Sequence, residues 1–153
     1  MNTCTLTPTT IETPVQEPKV FFQLGRFGDL IAMLPAFKEW ADRTGQPVIV
    51  VTSKQFGNVL EGVSYVVPEM VDVGIDWHAR AGEALVLAKA KYPNIIRTQN
   101  HGNGWHTPPD NHPSYSISAW CRTGLTLEDY KRLPLVFDRR SAEREAKLVR
   151  TWK

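Results

Sequence analysis

The stretch Val20-Phe21-Phe22-Gln23-Leu24 constrains this chain more than any other. Apolar at all but one position, it stops at Gly25 and is followed at once by a helical stripe. An alternating run would describe a strand with one wet face. Near-continuous apolarity describes a strand covered on both faces, as in a parallel sheet. The stripe Leu30, Ile31, Leu34, Phe37, Trp40 and Ala41 falls on one helical face, and Gly45 is placed to end that helix. The spacing predicts a strand, a loop over 25–29, and a helix to about Arg43. Pro35 leaves two readings open: one helix kinked there, or a short turn over 30–33 leading into a helix that starts near the proline.

The same alternation continues downstream. Pro47–Thr52 is rich in β-branched residues and reads as a second strand. A short helix over 54–61 and a strand near Tyr65–Val67 follow. Residues 78–91 carry Ala81, Ala84, Leu85 and Ala88 on one stripe, and Asn94–Thr98 makes a further strand. Helices near 115–123 and 141–152 complete the pattern. Strands alternating with helices predict right-handed β-α-β units around a parallel sheet, an α/β fold. The tail 1–18, rich in Thr and Pro, lacks the large apolar groups needed to order itself. It reads as a flexible tail, 19–138 as one domain, and 139–153 as a C-terminal helix or the start of an interdomain linker.

Composition narrows the function classes. At 153 residues, with 42% hydrophobic and 22% charged, the chain suits one domain with a real core. A net charge of +2, with Lys and Arg scattered, gives no footprint for nucleic acid. Cys4 and Cys121 lie far apart and form neither a disulfide framework nor a zinc set, so reduced thiols in a cytoplasmic protein are expected. No apolar run approaches the roughly 20 residues that cross a bilayer. Work at the inner face of a membrane is still compatible with this.

A loop between a buried strand and a helix is a natural ligand site, because ligands of open α/β sheets bind beyond the strands' carboxyl ends. The helix start adds unpaired N–H groups and the positive end of its dipole. Gly25 and Gly28 would permit positive φ or a close backbone approach. They supply G-x-x-G only, short of the dinucleotide fingerprint G-x-G-x-x-G, and no Gly-Lys pair exists for a P-loop. The clamping loop of KH domains joins two helices, whereas this one follows a strand.

The run VFFQLGRFGDLIAMLPAFKEW resembles the N-terminal signature of glycosyltransferase family 9, the ADP-heptose:lipopolysaccharide heptosyltransferases. The shared features are the apolar strand, the glycine loop, Gly28-Asp29, and Leu34-Pro35-Ala36. PVIVVT and the segment near Leu60-Glu61-Gly62 fit the family's second β-α unit, and weaker likeness reaches to about 138. The resemblance implies the N-terminal half of a B-type glycosyltransferase: a Rossmann-like, acceptor-side domain. A nucleotide-sugar donor is then expected on a second Rossmann-like domain or chain, and no cofactor or metal on this one. It also implies that Asp29 is the general base toward the acceptor hydroxyl of a sugar or lipid-linked acceptor. The chain stops where the interdomain linker is expected to begin. Inverting transfer needs a base within reach of a weakly acidic hydroxyl, and no D-x-D metal-diphosphate pair occurs. Against this stands an ordinary role for Asp29 as helix N-cap.

Other candidates carry alternatives of their own. Arg26 could meet an acceptor phosphate or acidic sugar, or be a solvated loop residue. The polar stretch Gln99–Pro113 is long for a compact domain and so is a functional candidate. Within it, His101 and Trp105 are candidates for acceptor contact, the indole by stacking on a sugar. His101, His106 and His112 share no helical face that would suit a metal. Family members usually carry an acidic residue near position 99, where this chain has Gln99, followed by Gly102. The competing reading is a non-catalytic binding or interaction module that keeps the Rossmann-like shell.

Overall fold

The structure, a computed structural model, describes residues 17–74, 76–99 and 115–151. Four strands, β1 (Val20–Phe22), β2 (Val48–Ser53), β3 (Val66–Val71) and β4 (Ile96–Arg97), form one sheet in the order β3-β2-β1-β4. Every pairing is parallel, with Phe21 set against Val50 on one side and Ile96 on the other. The α/β, Rossmann-like expectation is met.

Successive strand residues point to opposite faces, and Phe21 and Phe22 show what this does. Phe21 enters a core with Leu30, Met33, Leu34 and Phe37 of α1 (Phe27–Thr44) and Trp120 of α3 (Tyr115–Cys121). Phe22 enters a second core with Trp77, Ala81, Leu85 and Ala88 of α2 (Trp77–Lys91). Both rings are fully buried, so β1 is the spine of a three-layer sandwich. Right-handed crossovers from β1 to β2 and on to β3 keep their connections on one face. Reversing direction to reach β4 puts α2 on the other.

α1 runs through Pro35 as a single 18-residue helix, which decides between the two readings, and Gly45 ends it at φ 70°. The helix begins at Phe27, earlier than expected. The cap position is Arg26, without a side-chain cap bond, and Asp29 is the third helical residue. The N-cap role for Asp29 is therefore wrong. Its carboxylate still lies in the first turn, where the dipole favours negative charge. The expected helix over 54–61 is a 3-10 helix at Gly57–Gly62.

β3 extends well past the expected Tyr65–Val67, through Pro68. Val48 N–H donates to Tyr65 O and Lys54 N–H to Val71 O, so by the alternation of a parallel ladder the odd residues of β3 face β2. Position 68 faces the open edge, where a proline removes no ladder bond. β4 is shorter than expected. Thr98 N–H still donates to Phe22 O as the parallel register requires, Gln99 N–H shares that oxygen, and the next donor, Leu24 N–H, goes to the Gln99 side chain.

Beyond α3 the chain forms α4 (Leu127–Arg132), whose start is a capping box between Thr126 and Asp129. A strap then crosses the base of the domain. Tyr65 Oη donates to Val136 O at 2.5 Å, Ser64 N–H to Asp138 Oδ1 at 2.7 Å, and Arg139 N–H to Gly62 O at 3.0 Å. Helix α5 (Ala142–Thr151) follows. Among the described residues no helix is long and apolar enough to cross a membrane. The tail 1–16, Trp152 and the 100–114 stretch lie outside the described residues.

Candidate functional site

A parallel sheet sends all its strand ends to one edge, and the order β3-β2-β1-β4 reverses direction between β1 and β4. Ligands of open parallel sheets bind beyond this edge, at the point where the strand order reverses. Here β1 delivers Gly25 to Asp29, and β4 delivers Thr98 and Gln99.

Gln99 ties the two strand ends together. Its side-chain Oε1 accepts from Leu24 N–H at 2.5 Å and Gly25 N–H at 3.0 Å. Two donors facing one end of the amide identify that end as the oxygen. Its backbone oxygen accepts from Arg97 Nε at 3.2 Å and Arg122 Nη1 at 3.3 Å. Burial, with Arg122 close by, lowers the Arg97 pKa. Beside this, Thr98 Oγ1 donates to Phe22 O and Gln23 Oε1.

Gly25 is the point on which the site converges. A Cβ at this position would lie 2.8 Å from Trp77 Cη2, 3.1 Å from Asp29 Oδ2 and 3.4 Å from Gln99 Nε2. Its φ is not positive, the positive-φ glycines among the described residues being Gly45, Gly74 and Gly124. Of the two reasons for glycine given by the sequence, close approach is the one that applies. An indole edge, a carboxylate and an amide all border the space that a side chain at Gly25 would fill.

Trp77 reaches this point from the first turn of α2, which Asp76 caps by accepting from Ala79 N–H. Its ring is 4% exposed. Phe56, at the end of β2, meets it edge-on with centroids 6.3 Å apart, and Phe27 meets Phe56 in turn at 5.3 Å. The His78 ring stacks on the other side of the indole at 3.5 Å. A chain of rings thus runs along the sheet's carboxyl edge, ending in the exposed Phe27 and His78.

No family model, curated protein or solved structure matches this chain.

Of the residues singled out from sequence, Gly25 and Asp29 are brought together and Asp29 is half-buried. Arg26 and Gly28 are exposed, and a Cβ on Gly28 would touch nothing within 4 Å. Gly28 therefore has no close-approach role in this structure. His101 and Trp105 lie outside the described residues. Among the described residues no group of three or more His, Cys, Asp or Glu is arranged to hold a metal ion. Trp77, Phe56 and Phe27 were missed. A signal for Trp77 existed: it stands four residues before Ala81, one turn up the same apolar stripe. A separate groove of about 250 Å³ between β3 and α2, lined by Val71, Ala84, Leu87 and Lys91 among others, contains none of these residues.

Proposed function

We propose that this chain is the acceptor-binding side of a heptosyltransferase-like, metal-independent inverting glycosyltransferase, with Asp29 as general base. The supporting observation is the carboxylate itself. It stands one turn into the helix that follows an interior strand, beside Gly25, where the strand order reverses.

In such a transfer the acceptor oxygen attacks the anomeric carbon of a nucleotide-sugar, and the bond from that carbon to the leaving phosphate breaks. The nucleotide departs with the electron pair, and the acceptor's proton passes to the Asp29 carboxylate. The α1 N-terminus favours negative charge at the position of Asp29, the form that accepts a proton. That suits a reaction in which the hydroxyl becomes acidic only as its oxygen bonds to carbon. The sugar-facing residues would be Phe27 and His78, and the donor would occupy a partner domain facing the sheet's carboxyl edge.

The decisive test uses a preparation that includes a nucleotide-sugar-binding domain. There Asp29→Asn should lower transfer by about 10²- to 10⁴-fold while the thermal midpoint stays put. Near-normal turnover would confine Asp29 to stabilising its helix and leave the binding-module reading standing.

A further inference from the structure

We propose that Gln99 contacts substrate directly, its buried side-chain amide donating a hydrogen bond to a hydroxyl oxygen of a neutral sugar or polyol. The identity of that hydroxyl as the acceptor's rests on the transferase reading; the binding does not.

The orientation of the amide is fixed by the Leu24 and Gly25 N–H groups on Oε1, which leaves Nε2 as its donor end. Gln99 is fully buried, and Nε2 has no hydrogen-bond partner among the described residues. Native structures rarely leave such a donor unanswered. Nor does the loop need it. Two backbone N–H groups call only for an acceptor, which a carboxylate would also provide, so the donor half of this side chain is surplus to the local fold.

Its surroundings specify what would answer it. Gln99 Nε2, Asp29 Oδ2 and the Trp77 ring edge all border the space that a Cβ on Gly25 would occupy. One is a donor, one an acceptor of negative charge, and one apolar. An anion would suit the amide but face the Asp29 carboxylate. A cation would suit the carboxylate but face the amide protons. A hydroxyl accepts from Nε2 with its oxygen and donates to the carboxylate with its proton, so it alone satisfies both. The indole edge beside it matches the C–H surface of a sugar ring.

The test is carried out on the full chain, isotopically labelled, with the Gln99 side-chain amide assigned through its own carbon chain. Methyl α-mannopyranoside is the neutral probe and sulfate the anionic one. The Gln99 NH₂ signals should shift and exchange more slowly with the pyranoside and ignore sulfate. Gln99→Glu keeps an oxygen for Leu24 and Gly25 while replacing the donor with an acceptor. At about pH 8, where carboxylates are ionised, it should bind the pyranoside about tenfold more weakly or worse. An amide unmoved by the pyranoside would mean that water alone satisfies it. A response to sulfate would mark an anion site. Either result overturns the proposal, and neither depends on the variant folding. Loss of transfer in Asp29→Asn with an unmoved amide would sink this inference alone. A shifted amide with full turnover in Asp29→Asn would sink the transferase reading alone.

Discussion

Replacing Gly25 by alanine adds one methyl group at the point where the site converges. Because Gly25 has no positive φ, alanine can adopt its backbone conformation, and the whole penalty is steric. The methyl would lie 2.8 Å from Trp77 Cη2, closer than carbon atoms approach without one of them moving. The indole has little room to retreat, being 4% exposed, edge-packed on Phe56 and fixed at the start of α2. Overpacking of this kind costs about 1–3 kcal/mol. Gly28→Ala is the matched control. It meets nothing within 4 Å and lies inside the first turn of α1, so it should be neutral or stabilising, by up to about 1 kcal/mol. Urea denaturation followed by tryptophan fluorescence and far-UV circular dichroism would measure both. At this chain length each kcal/mol corresponds to roughly 2–4 °C in thermal midpoint. Equal stability of the two variants would show that Trp77 does not rest on Gly25, and the convergence built on that contact would go with it.

Three further outcomes test the C-terminal segment. Thr126→Ala removes the cap of α4 and should cost about 1 kcal/mol in chemical denaturation; no loss would mean the box adds nothing. The bond from Thr126 N–H, then those from Arg132 and the Thr126 hydroxyl, hold the Asp129 carboxyl at about 2 against an ordinary 3.8. A lowered folded value means stability present above about pH 4 and lost as pH falls toward 2. Asp129→Ala should therefore flatten the acid limb of a stability-against-pH curve, and an unchanged slope would refute the assignment. Tyr65→Phe deprives Val136 O of its partner and should cost about 1 kcal/mol while speeding proteolysis of the strap; identical cleavage rates would argue that the strap is held elsewhere.

The fold was largely legible because its signals are local. Val20–Leu24 reads as a doubly covered strand from five letters, and the α1 and α2 stripes repeat over enough turns to be unmistakable. Reading failed where long-range packing decided. The expected third strand ended at Val67, one residue short of Pro68, and nothing in the letters tells that position 68 faces an open edge where a proline is tolerated. The capping box of α4 was present as Thr126-Leu-Glu-Asp129, but its helix spans only six residues and shows no stripe. In the candidate site, Asp29 entered through the resemblance carried by Gly28-Asp29, while its junction alone suggested a helix cap. Gln99 looked like a departure from the family pattern, and only its bonds across 74 and 75 positions of chain reveal what it does. Trp77 reaches Gly25 from the far end of two crossovers, a meeting no local spacing encodes.

The proline in β3 also governs how this sheet meets other chains. A strand laid along the outer side of β3 would find its carbonyl opposite Pro68 without a donor, midway through a six-residue run. Growth by strand addition is interrupted there, so copies of this chain at high concentration are denied the simplest route to ribbon-like stacking. A ladder on that side would have donors only at Val66 and Met70, so a lasting association there has to draw more on side chains.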